Sequence, residues 1–270
     1  MAAAPHPAAP AILAAPVPLP GAFLRAPIAH RALHDRTAGR PENSPAAFRA
    51  AIAAGYGIEC DVQPSADGVP MVFHDYDMKR LTGLPGRIAG RTSAELGATR
   101  LLDCDEGIPT LAGMLALVAG RVPLLIEIKD QDGAMGPAVG PLEDAVAAAL
   151  EGYAGPVALM SFNPHSVAAL ARAAPGRPRG LTTSAYAPED WPLLTPAVRD
   201  RLREIPDYDA AGASFISHEA ADLSRPRVTD LRAQGAAVLC WTIRSPAAEA
   251  EARRIAANVT FEGYAAAIPA

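Results

Sequence analysis

Glu59 and Asp61 stand two residues apart in the run Ile58-Glu59-Cys60-Asp61-Val62. Apolar residues alternate with the acids at the period of a β-strand, so both carboxylates project from one face. Two like charges in an apolar strand repel each other and lose hydration, which asks for a cation between them. A strand with one face in water, as in an antiparallel sheet, is the bland alternative. Asp67-Gly68 follows as a type I′ turn signal. With that turn, Ala66 faces Val69 and Asp61 faces His74, which sets an imidazole beside the acid pair. Pro64 cannot donate to the ladder, so this register is an expectation.

A second strand-like run, VPLLIEIK over 122–129, carries Glu127 and Lys129 on one face. Three carboxylates from two strands, with no thiolate among them, suit a hard divalent cation such as Mg2+ or Ca2+. Arg31 and Lys129 add positive charge beside that cation, and an anion held by metal, guanidinium fork and ammonium fits phosphate best. His30 and His74 can divide acid and base duties there, because imidazole titrates near neutral pH. Phe162 and Trp241 end two further strand-like runs and are candidate pocket walls. The alternatives are plain: a structural Glu127–Lys129 ion pair, a capped strand-end His30, a core Trp241. His6, His34, His165 and His218 are expected at the surface or in loops. Ser161-Phe162 lacks the glycine frame of a nucleophile elbow, which excludes a serine hydrolase of that kind.

The elements that must position these groups alternate. Short apolar strands are expected at 27–29, 58–63, 122–129, 156–160, 178–182, 213–216, 236–242 and 259–261. Most are separated by helices with readable starts: Ser44-Pro45 and Asn163-Pro164 each place a capping side chain before a proline at the first helical position. Other helices are expected at 110–118, 141–151, 196–203, 225–234 and 246–256. Strand–helix alternation implies a parallel sheet, and eight such units fit a closed TIM (β/α)8 barrel with a small hairpin insertion after the second strand. Functional groups then gather at the carboxyl ends of the strands. An open doubly wound sheet is the rival, but no GxGxxG follows the first strand. Residues 27–270 are read as one domain and 1–26 as an arm, extended on the domain or disordered. Residues 76–102 are read as loop, with a helical turn near 93–96, able to cover the site.

The chain of 270 residues is half hydrophobic, with a net charge of −5 and no basic run, which argues against nucleic-acid binding. No apolar stretch reaches the roughly 20 residues a membrane-spanning helix needs. Cys60, Cys104 and Cys240 show no CxxC spacing and read as reduced thiols of a cytoplasmic protein, Cys60 and Cys240 in the core.

The motifs His30-Arg31, Pro41-Glu42-Asn43-Ser44, Glu59-Cys60-Asp61, Asp67-Gly68, His74-Asp75, Glu127-Ile128-Lys129, Ser161-Phe162 and Trp241-Thr242 fall in one order. From about residue 28 onward the chain resembles the glycerophosphodiester phosphodiesterases. The resemblance implies metal-dependent hydrolysis of a small glycerophosphodiester to sn-glycerol 3-phosphate and an alcohol, through a cyclic phosphate. It implies Glu59, Asp61 and Glu127 as metal ligands, His30 and His74 as acid and base, and Arg31 and Lys129 as phosphate-binding residues. A lysophospholipase-D-like barrel acting on lipid, or a non-catalytic phosphate- or metal-binding barrel, are the alternatives. Four positions depart from the family pattern: Ala32 for a glycine, Ser44 for threonine, and Phe261-Glu262 for Thr-Asp. Both histidines and all three acids are retained, so an active enzyme is expected.

Overall fold

In the computed structural model, which describes residues 15–269, β-strands and helices alternate along the chain. Eight parallel strands close on themselves: β1 (Ile28–Ala29), β2 (Gly57–Pro64), β4 (Leu124–Ile128), β5 (Val157–Ser161), β6 (Arg179–Thr183), β7 (Phe215–Glu219), β8 (Ala237–Ile243) and β9 (Asn258–Phe261). Closure is explicit, since β1 pairs in parallel with both β2 and β9. The antiparallel β3 (Pro70–Val72) lies against the end of β2. This is the TIM barrel with a hairpin insertion that the strand–helix alternation implies.

The helix starts obey their local chemistry. Ser44 accepts a hydrogen bond from the Ala47 N–H, Asn163 from His165 and Thr195 from Val198, each with proline next in sequence. Gly55 ends the first of these helices in the left-handed conformation at φ 79°. The outer core lies between strands and helices and includes Ile58, Cys60, Val62, Ile126, Ile128 and Val259. These alternate with the inward-facing Glu59, Asp61 and Glu127, so the pleat that buries the core also delivers the acids to the barrel interior.

Three expectations need correcting. The hairpin pairs Val62 with Val72 and Gln63 with Met71, one step away from the expected register. The turn is longer than two residues: the Ser65 hydroxyl binds the Asp67 carboxylate and the Val69 carbonyl, and accepts from the Val69 N–H. A side-chain bond of this kind offers the backbone an alternative to the tight turn, and it moved the register. His74 therefore leaves the ladder, and Phe73 N donates to Asp61 O.

The segment after His74 is more ordered than expected. It contains Lys79–Thr82 and Ser93–Ala98 helices around a separate small core of Met71, Phe73, Met78, Leu81, Ile88, Leu96, Leu101 and Ile108.

The arm expected over 1–26 falls partly on residues 1–14, outside the described residues. Within the remainder, Gly21–Leu24 form a 3-10 turn that inserts a fully buried Phe23 under the barrel. Phe23 packs with Ile28, Leu125, Ala158, Phe215 and Leu239 at the floor. Asn258 fixes the turn by donating to the carbonyls of Phe23 and Ala26 at 2.7 and 2.8 Å. Phe23→Ala is expected to cost about 3–5 kcal/mol in chemical denaturation, as for other buried phenylalanines. A loss below about 1 kcal/mol would show that the floor is closed without it.

Candidate active site

At the carboxyl ends of the strands lies a cavity of about 1170 Å³. Its lining includes His30, Arg31, Glu59, Asp61, His74, Glu127, Lys129, Phe162 and Trp241, so the structure brings together all nine residues singled out from the sequence.

Glu59 and Asp61 enter from β2 and Glu127 from β4; Asp61 and Glu127 are register partners. All three are buried, and one oxygen from each lies within 4.8 Å of the others. The Lys129 ammonium sits among them, 2.8 Å from Asp61 and 2.6 Å from Glu127. The electrostatics follow from burial and pairing. Burial works against the charged form of Asp61, yet the Lys129 ammonium, His74 and Arg31 hold it far below the usual carboxylate range. Glu59 has the opposite fate: burial, with Asp61 and Glu127 beside it, pushes it well above that range. Its one hydrogen-bond donor among these groups is the Arg31 N–H, at 2.8 Å. An all-oxygen, buried, acidic donor set of this size fits a hard divalent cation.

The backbone is bent to make these contacts. Arg31, Ala32 and Asn43 all take positive φ, at 51°, 66° and 58°. Such conformations cost roughly 1–2 kcal/mol for a residue with a Cβ and collect at functional sites. In return the Arg31 N–H meets Glu59, and Asn43 Nδ2 donates to Asp61 at 2.9 Å. Ala32 keeps the left-handed angle that glycine adopts freely, and its methyl is buried.

Each imidazole is held in the same way. His30 Nδ1 lies 2.6 Å from Glu262, whose other oxygen accepts from Arg244 Nε at 2.8 Å. His74 Nδ1 lies 2.6 Å from Asp75, which in turn accepts from Arg80 Nε at 2.6 Å. A carboxylate only accepts, so each Nδ1 carries the proton and each Nε2 is left free. Burial lowers the pKa of His30 despite the Glu262 hydrogen bond, which favours its neutral form. Glu262 is held well down by His30 and His34. In the sequence Glu262 stands out only as a departure from the family pattern, and nothing local assigns Asn43, Asp75, Arg80 or Arg244 a role. The adjacency in His74-Asp75 and Glu42-Asn43 is the one signal the chain offers for them.

The same cavity has an aromatic wall. Phe162 meets Trp241 edge-on at 5.5 Å and Trp191 at 4.8 Å, with Tyr186 behind them. Trp241 is anchored by its indole N–H to Ser217 O. His218 corrects an expectation: it is fully buried, Nδ1 2.8 Å from the Thr183 hydroxyl and Nε2 3.2 Å from Asp222. The β6–β7 pairing of Thr183 with His218 turned it away from solvent. His34 is half-buried, 3.5 Å from Glu262. His6 lies outside the described residues.

Residues 30–260 match the glycerophosphoryl diester phosphodiesterase family. The chain belongs to that family. It is 31% identical over 164 residues to a glycerophosphodiester phosphodiesterase of Caldanaerobacter subterraneus, covering 56% of this chain and 65% of that protein. A glycerophosphodiester phosphodiesterase of Bacillus altitudinis is 36% identical over 96 residues, 33% of this chain and 39% of that one. The matches thus span less than two thirds of these relatives. Among solved structures, an Oleispira antarctica phosphodiesterase in complex with the product sn-glycerol-3-phosphate superposes with TM-score 0.71 at 24% identity, over 89% of this chain and 93% of that one. A putative family protein of Silicibacter pomeroyi gives 0.72 at 22%, over 89% and 92%. At these identities the likeness is one of fold. No helix among the described residues is long and apolar enough to cross a membrane.

Glu59 carries the cost of crowding three buried acids together, so Glu59→Gln is expected to raise Tm when no divalent ion is present. The wild type should gain about 2.7 kcal/mol at metal concentrations 100-fold above Kd, and the variant little. Thermal scans with and without Mg2+ or Ca2+ test this. Equal metal responses in the two proteins would remove Glu59 from the cation site.

Proposed function

We propose that this chain hydrolyses glycerophosphodiesters to sn-glycerol 3-phosphate and an alcohol. Membership of the family supports the reaction class, and one geometric observation carries the reading to this chain. Two imidazoles with Nδ1 held by carboxylates flank a buried three-acid cluster in one cavity. Pure binding needs the acids and cations but has no use for two oriented imidazoles.

Glu59, Asp61 and Glu127 would hold the cation, Mg2+ or Ca2+. When bound, it supplies Lewis-acid polarisation of a phosphoryl oxygen and neutralises its charge. Arg31 offers its guanidinium, and Lys129 its ammonium, to the phosphate oxygens. Lys129 now lies between Asp61 and Glu127, within reach of an anion brought to the acids. His30, kept neutral by burial, accepts at Nε2 the proton of the substrate glycerol hydroxyl that attacks phosphorus. His74, carrying a second proton at Nε2 for this step, delivers it to the departing alcohol oxygen as the P–O bond breaks; water then opens the cyclic phosphate, losing a proton to His74 while His30 returns its own to the released glycerol hydroxyl. Phe162 and Trp241 form an apolar wall that shields the reacting end from water.

Purified protein with Mg2+ or Ca2+ should release glycerol 3-phosphate from at least one diester in a panel containing glycerophosphocholine, glycerophosphoethanolamine and glycerophosphoglycerol, and chelation should stop it. His74→Ala should lose at least about 10²-fold in kcat while keeping the metal-induced rise in Tm. Loss of that rise would mean that His74 belongs with the cation instead. Absence of turnover on the whole panel would leave a phosphate-binding barrel, whereas turnover of lysophospholipids alone would favour the lipid-cleaving alternative.

The pH profile has a definite sign. A base must be neutral to accept a proton, and burial lowers the His30 pKa below its ordinary 6.5. The acid limb of kcat/KM should therefore have its midpoint below 6.5. Glu262 opposes the lowering, so Glu262→Gln should move the limb to still lower pH. A limb above the ordinary histidine value assigns the base elsewhere.

A further inference from the structure

Arg80 is the most heavily engaged cation at the cavity mouth. It sits on the short helix Lys79–Thr82, in the segment that follows His74. Its guanidinium forks two carboxylates at once. Nε and Nη2 donate to Asp75 at 2.6 and 2.9 Å. Nη1 and Nη2 donate to Glu42 at 2.7 and 2.7 Å. Each carboxylate has a second obligation. Asp75 holds His74 Nδ1 at 2.6 Å, and Glu42 accepts from Arg31 Nη1 at 2.8 Å. An unbroken series therefore runs from His74 through Asp75, Arg80 and Glu42 to Arg31.

An exposed ion pair is ordinarily worth little, and the Arg80 side chain is 47% exposed. Three features set this one apart. Both carboxylates are gripped bidentately, a geometry that fixes angle as well as distance. Both partners are less exposed than the arginine, 12% for Glu42 and 22% for Asp75. The helix that carries Arg80 is itself anchored, because Met78 at its start and Leu81 within it are buried in the small core of this segment. The Lys79 N–H and Gly86 N–H both bind Asp77, which fixes the start of the helix and the loop behind it. Tyr76, Asp77 and Lys79 of the same segment also line the cavity, and its order holds the Arg80 guanidinium in place beside them.

We propose that Arg80 is a positioning residue: it sets the His74 imidazole and the Arg31 guanidinium at a fixed separation, one for the leaving oxygen and one for the phosphate. It touches no reacting atom. This rests on the proposed diesterase reading, but only for the effect on rate. The holding of His74 by Arg80 through Asp75 can be read without turnover.

Arg80→Ala should lower kcat/KM on the best diester by about 10²-fold, the size expected when a reacting group is displaced by about 1 Å. Both parameters should change: kcat through His74 and KM through Arg31. Tm should fall by only a few degrees, and the Tm gain on adding Mg2+ or Ca2+ should be kept. Arg80→Lys restores one charge without the double fork, so it should recover only a small part of the loss. Added guanidinium at tens of millimolar should rescue Arg80→Ala and leave the wild type unchanged. Long-range 1H–15N spectra, with the His74 signals identified by their absence in His74→Gln, should show a single Nδ1–H tautomer in the wild type. Arg80→Ala should show a mixture of tautomers. Wild-type kcat/KM in Arg80→Ala, or full recovery in Arg80→Lys, would overturn the proposal. So would an unchanged His74 tautomer in Arg80→Ala. If the wild type turns over no diester, the functional reading fails, and the His74 spectra still decide whether Arg80 holds the imidazole.

Discussion

The structure depends on how three buried carboxylates are tolerated in one barrel mouth. Left alone, they would repel each other and lose their hydration, at a cost no small domain could easily sustain. Lys129 answers two of them directly, and Arg31 lies 3.6 Å from Asp61. Glu59 is the least compensated, which is why its proton is held so firmly. A further positive charge at this point would relieve Glu59 most. The left-handed backbone at Arg31, Ala32 and Asn43 is another part of the cost, because each bend turns a donor toward the acids or their neighbours.

Around this centre the charges are arranged in layers. Each imidazole leans on a carboxylate, and each carboxylate on an arginine at the rim: His30 on Glu262 and Arg244, His74 on Asp75 and Arg80. Buried groups are thus oriented by groups nearer to water, which tolerate their charges more cheaply. The two sides are not equivalent. His30 comes from a strand end and its side chain is 14% exposed, while His74 comes from a bend after the hairpin and is 29% exposed. The rim arginine on the His74 side also reaches Arg31 through Glu42, whereas Arg244 serves Glu262 alone among the contacts described.

Much of this could be read from the chain, for reasons particular to each element. The period-two alternation around Glu59 and Asp61 is enforced by the pleat, so their shared face needed no tertiary information. The caps at Ser44 and Asn163 are local and fell where expected, and the eight parallel strands followed from alternation. What stayed hidden depends on contacts far apart in sequence or on competing side chains. The Ser65 hydroxyl outbid the tight turn, and no pattern of apolar residues announces that. His218 is buried where the Thr183 hydroxyl, 35 residues away, donates to its Nδ1 and Asp222 accepts from its Nε2. Phe23 looked like part of a proline-broken tail, and only the Asn258 amide, 235 residues later, gives its turn a place. Arg80 sat in a stretch read as loop, where nothing local distinguishes a structural guanidinium from a solvated one.

The last strand has an unequal share in all this. Asn258 to Phe261 zip β9 to β1, Asn258 secures the plug below, and Glu262 reaches His30 above. During synthesis, the acids, both histidines and most of the wall leave the ribosome well before the residues that shut the cylinder. Without β9, nearly every reactive group would lie in an open sheet whose β1 and β8 edges are unpaired. Closure of the cylinder therefore waits on β9, and a chain cut before Asn258 would have the parts of the site without the vessel that aligns them.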